Sequence, residues 1–334
     1  MKKKILIIAA LALTVCACQK ESQCKSCNEN KPVEVTVSIR GTAMSKSTGN
    51  TSANESKVNS LQILAFDADG RIESYRSVEN EMSVTLLATS GEKTVWAVVN
   101  APSLEEVTTI DSLGSAVTDL VDNCLDSFIM TGSVTEDLTD GAMIAITVRR
   151  VVARVSVAKI TTAFPSTPEY EGKTLKLTGM CLLNASGSVN YALEGEPASW
   201  YNKLRHEDGD VDTFLYDSLD QTLENNASYE TEHAWYPYPN NVSTSVKSLA
   251  EEERGVWRPR RSILCIEVEF DGATGYYPVE LPVIERNKTY IVEEVVITRE
   301  PGDKPYDPID TGAATVTITV HDWELGLNLG TITI

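Results

Sequence analysis

Histidine, positive charge and long apolar runs are all scarce in this 334-residue chain, and each shortage removes a class of function. The three histidines, His206, His233 and His321, stand in a charged stretch, an aromatic stretch and at a strand end. None belongs to an H-x-x-x-H or H-E-x-x-H spacing, so the sequence encodes no zinc site of the metalloprotease kind. It also has no G-x-S-x-G elbow and no glycine loop of the phosphate-cradling type. Paired carboxylates are everywhere in so acidic a chain and single out nothing. The sequence therefore predicts no catalytic residue, no metal site and no cofactor. Lys and Arg number 29 against 48 Asp and Glu, a net charge of -19. A surface that acidic argues against nucleic acid or an anionic membrane surface as partner, and for solubility outside the cell.

One apolar run breaks the pattern. Residues 5–13 follow Lys2, Lys3 and Lys4 and are too few to cross a bilayer as a helix, so residues 1–17 read as a signal peptide. Losing those three lysines takes the charge from -19 to -22. Cys18 has small Ala17 before it, as lipoprotein signal peptidase requires, whereas Cys16 follows the larger Val15. Cys18 is the expected lipid anchor to an outer membrane, the alternatives being cleavage elsewhere or an uncleaved anchor. Of the seven cysteines, Cys24, Cys27, Cys124, Cys181 and Cys265 then remain, an odd number without framework spacing. The last three sit in apolar surroundings and are expected in the core. Cys24-x-x-Cys27 lacks a second ligand pair, so a local disulfide or incidental thiols fit it better than a metal. It lies in residues 18–32, a polar tether without periodicity.

After the tether the chain becomes strand-rich. Val33, Val35, Val37 and Ile39 alternate with polar residues, the pattern of a half-buried strand. Two basic residues, Arg40 and Lys46, follow it, the second inside a Ser-, Thr- and Gly-rich loop open to proteases. A core strand beside a membrane anchor, with trypsin-type cleavage points directly after it, reads as a strand meant to be removed. Further strands are predicted over 58–66, 71–77, 83–88 and 93–100, the last apolar on both faces and hence central. Asp67-Ala68-Asp69-Gly70 reads as a hairpin turn, because no downstream glutamate completes a calcium loop. Ser103-Leu104-Glu105-Glu106 is a capping box ahead of Val107, Ile110, Leu113, Val117 and Leu120, which predicts a helix. The apolar phase shifts between Ile144, Ile146, Val148 and Val151, Ala153, Val155, so a bulge or a change of sheet is expected across Arg149-Arg150.

The second half opens with a strand at 175–183. Residues 195–259 lose all period and predict long loops with short strands, their aromatic residues packed against a sheet. Strands resume at 262–270, 276–282, 289–298 and 314–320. Beyond Trp323, Leu325, Leu327 and Leu329 alternate, and Ile332 and Ile334 resume one step out of phase. The chain thus ends on a free apolar strand as it begins on a cleavable one.

Four blocks resemble the fimbrillin family, the subunits of type V pili in Bacteroides-type bacteria. They are Glu55-Ser56-Lys57-Val58, Arg149 through Val155, Ile284 through Tyr290, and Val316–Val320 closing on Asp322-Trp323-Glu324. The resemblance implies an all-β fold with minor helix, made of two tandem transthyretin-like β-sandwich domains, here residues 33–160 and 161–334. It also implies export as a lipoprotein and removal of the first strand by an extracellular trypsin-like protease. The C-terminal strand of a neighbour, Leu325, Leu327, Leu329, Ile332 and Ile334, would then enter the vacated groove. Lysine stands at position 46, where the family's cleaved arginine falls. Either a lysine-tolerant protease acts at Lys46 or an arginine-specific one acts at Arg40. The implied partners are other pilus subunits, the protease and the outer membrane through the lipid, with an extracellular fimbrium as the destination. Within the family a tip or anchor subunit is the alternative. From another class, a glycan-binding surface lipoprotein could stack Trp200, Trp235 and Trp257 on sugar rings.

Overall fold

The structure is a computed structural model and describes residues 31–41, 53–193, 195–203, 215–308 and 314–323. It is almost entirely β. Strands β1 (Pro32–Arg40), β2 (Ser60–Phe66), β3 (Ile72–Glu79), β4 (Ser83–Thr89), β5 (Gly91–Val99), β6 (Val117–Asp119), β7 (Met130–Leu138), β8 (Met143–Thr147) and β9 (Arg149–Arg150) build the first half. They form a three-stranded sheet ordered β4-β1-β8 and a five-stranded one ordered β3-β2-β5-β7-β9. Side chains two residues apart share a face, and the inner faces meet in one cluster. Val35, Val37, Ile39, Leu86 and Ile144 come from the small sheet, and Leu61, Ile63, Val95 and Ala97 from the large one. The opposite face of the large sheet is also covered, with Leu64, Phe66 and Val98 packing against Leu104, Leu113 and Phe128. Burial on both sides is why 93–100 carries no polar face.

The Asp67 turn closes the β2–β3 hairpin. Its Oδ1 accepts from the N–H groups of Asp69 and Arg71 at 2.9 Å each, and Gly70 adopts φ +74°. The predicted 83–88 strand forms as β4 and pairs with β1 in the other sheet, so the chain crosses between sheets there. The predicted helix shortens to α1 (Ile110–Ser115), capped by Thr109 in place of Ser103. Backbone pairing explains the late start: Ile72 N–H donates to Thr108 O, and Ile110 N–H to Gly70 O. Those bonds tie Thr108 and Thr109 to the hairpin ahead of the helix, and Val117, predicted helical, lies in β6.

The phase change at Arg149-Arg150 is a change of sheet. β8 ends beside β1, and β9 pairs with β7 across the core. A Cβ on Gly132 would stand 2.2 Å from the Thr147 carbonyl oxygen, so only glycine lets β7 pass that close to the crossing chain.

The second half holds β10 (Arg154–Val157), β11 (Lys159–Thr162), β12 (Leu175–Leu183), β13 (Ala185–Ser186), β14 (Ser188–Asn190), β15 (Trp200–Tyr201), β16 (Tyr216–Leu223), β17 (Ser228–Glu230), β18 (Ala234–Trp235), β19 (Ile263–Phe270), β20 (Ala273–Glu280), β21 (Lys288–Ile297) and β22 (Ala314–Asp322). One sheet runs β17-β11-β21-β10-β18 with β22 added on β21, and the other runs β16-β12-β19-β20. Val155, Tyr290, Val292 and Val295 of the first face Leu175, Leu177, Ile266 and Val268 of the second. A satellite core of Cys181, Leu183, Cys265, Val246 and Tyr306 lies on the other side of the four-stranded sheet, under the loops. Most of 195–259 is irregular, as its lost period predicts, with the short α2 (Glu251–Arg254) near its end. The exception is the eight-residue β16, of which only Leu223 is buried. Cys181 and Cys265 are core residues, whereas Cys124 is exposed, contrary to the expectation from its apolar neighbours.

Candidate functional site: the first strand and the root of the C-terminal tail

β1 has the place of a central strand. It pairs antiparallel with β4 from Pro32↔Thr89 to Ser38↔Ser83, and parallel with β8 from Thr36↔Met143 to Arg40↔Thr147. Bonds outside the regular ladder fasten both ends. Ser90 N–H donates to Lys31 O at 2.7 Å, Gly141 N–H to Glu34 O at 2.9 Å, and Val148 N–H to Arg40 O at 2.9 Å. Val33 is 5% exposed, Val35 1%, and Val37 and Ile39 0%, so the four predicted odd positions do face the core. Burying four such side chains contributes roughly 6–12 kcal/mol at about 1.5–3 kcal/mol each. That rivals the whole stability of an ordinary domain, about 5–15 kcal/mol. An emptied groove would therefore demand a replacement. Of the two predicted cleavage residues, Arg40 is exposed at the end of β1, with Nε donating to Thr147 Oγ1 at 3.1 Å. Lys46, Cys18 and the tail residues Leu325, Leu327, Leu329, Ile332 and Ile334 lie outside the described residues.

At Trp323, the last described residue, a buried polar knot gathers the four blocks of the resemblance. Arg150 supplies its centre. Its Nε donates to Glu55 O at 2.9 Å, Nη1 to Trp323 O at 3.3 Å, and Nη2 to Ser56 Oγ at 3.1 Å. The guanidinium carbon lies 4.0 Å from the Trp323 ring centroid, a cation–π arrangement strengthened by the absence of water. Glu55 accepts from Trp323 Nε1 at 3.2 Å and Tyr236 OH at 2.9 Å, and its Oε1 sits 3.6 Å from Arg154 Nε. Phe128 meets the Trp323 ring edge-on at 5.6 Å, and Tyr236 stacks on it at 5.6 Å. Asn287 ties the backbones together: its Oδ1 accepts from Arg150 N–H, its own N–H donates to Val152 O, and its carbonyl accepts from Trp323 N–H. Arg286 completes the junction by donating to the carbonyls of Arg149 and Arg150.

Burial sets the electrostatics. It lowers the Arg150 guanidinium to about 10 against the opposing pull of Glu55. Burial, then neighbouring Arg149, lowers Arg286 to about 10. Burial, then the Glu55 carboxylate, raises the Tyr236 phenol to about 12. Arg150 and Glu55 are the buried charges of the knot, each held by hydrogen bonds to its neighbours. None of the knot residues stands out by residue type in the sequence. The signal that could have found Arg150 is a cationic residue wedged between the apolar runs ending at Val148 and beginning at Val151.

Residues 32–162, the span from β1 through β11, match the family of the major fimbrial subunit protein (FimA). Over that span the chain is fimbrillin-like. Its fold recurs in a fimbrilin, FimA, from Porphyromonas gingivalis, with TM-score 0.63 at 16% identity over 87% of this chain and 97% of that one. A protein described as a cell adhesion protein from Bacteroides eggerthii gives TM-score 0.66 at 16% identity over 88% and 97%. The tip fimbrial protein Mfa3 of P. gingivalis gives 0.56 at 15% identity over 88% and 100%. No curated protein sequence matches the chain.

The aromatic residues of the fimbrillin-like fold do not form a stacking platform. Trp235 is buried in β18, paired with β10. Trp200 and Trp257 meet edge to face at 5.9 Å, and Lys203 Nζ lies 4.7 Å over the Trp257 ring. Trp257 packs against the satellite core, and Trp200 meets it edge to face. Among the described residues no group of three or more His, Cys, Asp or Glu side chains could hold a metal, and no helix is long and apolar enough to cross a membrane.

Proposed function

We propose that this chain is a structural subunit of a type V fimbrium. It is exported as a lipoprotein with its lipid on Cys18 and held by the tether of residues 18–32. A trypsin-like protease cuts at Lys46 or Arg40, the first strand leaves, and residues 325–334 of another copy fill the groove between β4 and β8. Its two halves, residues 33–160 and 161–334, act as tandem transthyretin-like domains. The mature subunit belongs to a fibre outside the cell, and its partners are other fimbrial subunits.

One observation carries the reading. β1 has strand neighbours on both edges and a fully buried inner face, yet only the Ser-, Thr- and Gly-rich residues 41–52 connect it to the next element. A strand so placed can be cut away without breaking any other connection. It leaves unpaired N–H and C=O groups and an apolar groove, which favours capture of a foreign strand. The tail, with apolar residues on alternate positions from Leu325 to Leu329, has the pattern such a groove accepts.

The test starts from the chain beginning at residue 18, digested lightly with trypsin, sequenced from its new N-terminus and run unboiled on a denaturing gel. A ladder of multimers starting at Gly41 or Ser47 supports the proposal. A stable monomer with an intact N-terminus contradicts it. The likeness to a tip fimbrial protein supports a second reading, in which the subunit accepts a strand and donates none. A ladder that stops at dimers with a different shaft subunit would select it.

A further inference from the structure

The knot sits where two segments of opposite fate meet. Glu55 and Ser56 stand in the first described segment after Lys46, and Trp323 is the last described residue before the proposed donor segment. Both are gripped by one side chain, Arg150, which is 0% exposed. Its geometry is demanding. The planar guanidinium lies on the indole face and spends separate N–H groups on Glu55 O, Ser56 Oγ and Trp323 O. An ammonium group has neither the plane nor the fork to make these contacts together. The backbone of Arg150 is also fixed, by the pairing of β9 with β7 and by the Asn287 side chain. The grip on Trp323 is thus anchored in a rigid part of the first half and reaches across to the end of the second.

We infer that Arg150 and Trp323 are positioning residues for strand donation, a pin that fixes where residues 324–334 leave the fold. The inference rests on the strand-exchange reading above. A tail rooted at a fixed point presents its strand in one direction, so less freedom is lost when it enters a neighbour's groove. A tail whose root can fray back along β22 has to be ordered anew at each joint. β22 gives reason to expect such fraying, because among the described residues it is an edge strand paired only with β21. The pin acts on donation alone. The groove between β4 and β8 lies in a different sheet, so accepting a strand does not use it.

The experiment separates the two halves of the joint. Full chains carrying Arg150→Lys or Trp323→Phe are trypsin-treated beside the wild type. Acceptor competence is read as binding of a synthetic peptide of residues 324–334 to each cleaved protein. Donor competence is read as the rate of ladder formation, and the tail root as hydrogen exchange at the Trp323 amide. The expected result is peptide binding unchanged within twofold, ladder formation at least tenfold slower for Arg150→Lys, and faster exchange at Trp323. Trp323→Phe keeps the ring and loses the bond to Glu55, so it falls between; it also serves if Arg150→Lys does not fold. Equal loss of peptide binding and ladder would mark Arg150 as merely structural and overturn the inference. Wild-type ladder rates in both variants would overturn it as well. Failure of the wild-type protein to bind the peptide would instead sink the strand-exchange reading, and the pin with it.

Discussion

The guanidinium of Arg150 stacks 4.0 Å above the ring of Trp323, a residue 173 positions further along the chain. Nearly every sequence feature that resembles the fimbrillins meets at that contact. The blocks look independent along the chain because each supplies only one or two members of a single buried network. Removing any member leaves a charge or donor stranded out of water.

The Glu55 carboxylate faces both Arg150 and Arg154. Glu55→Gln keeps the shape but removes the negative charge that faces Arg150 and lies 3.6 Å from Arg154 Nε. Breaking one side of a buried pair costs about 3–5 kcal/mol. Urea denaturation of the precursor should show a loss near the lower end of that range, since Gln still accepts a hydrogen bond.

The faces of β1 should respond in opposite ways. Val37→Asp places a charge in the core cluster and should lower precursor stability by more than about 3 kcal/mol. Glu34→Gln on the solvent face should change it by less than about 0.5 kcal/mol. Denaturant midpoints of the uncleaved protein give both numbers.

Alkaline pH should unfold the protein through its buried phenols. Burial raises Tyr236 and Tyr191 to about 12, and raises Tyr238, Tyr277 and Tyr290 as well. The folded state then holds these protons more tightly than the unfolded chain, whose tyrosines titrate near about 10. The stability they contribute is complete below about pH 10 and is lost as pH rises through their folded values. Arg150 and Arg286, both lowered to about 10, act in the opposite direction over the same range but are fewer. The melting temperature should therefore fall between about pH 10 and 12, read by calorimetry or circular dichroism.

Thiol labelling checks the placement of the cysteines. Cys181 and Cys265 lie directly opposite each other on β12 and β19, both fully buried, whereas Cys124 is exposed. Mapping a maleimide by mass spectrometry should find Cys124 modified in the native protein, and Cys181 and Cys265 modified only after unfolding.

Much of the fold is legible in the sequence because strand period is a local signal. Val33 to Ile39, the Asp67 turn and the 175–183 strand follow from patterns a few residues long. The crossing at Arg149-Arg150 was also visible, as a slip in phase. Tertiary pairing hid the rest. Thr108 and Thr109 are held against the β2–β3 hairpin, which overrides the capping box at Ser103. β16 escaped because all but one of its side chains are at least partly open to solvent, so it has little apolar alternation to display. The knot escaped for a different reason. Glu55, Arg150, Asn287 and Trp323 acquire a role only from contacts across most of the chain, and no spacing rule connects them.

Fibre growth by the proposed route requires the tail of one copy to replace the first strand of another. Deleting residues 325–334 tests this most directly: the truncated and intact chains are cleaved side by side with trypsin and compared on an unboiled denaturing gel. The expected result is normal loss of β1 in both, a multimer ladder from the intact chain and only monomer from the truncated one. A ladder of the same length from the truncated chain would contradict the account.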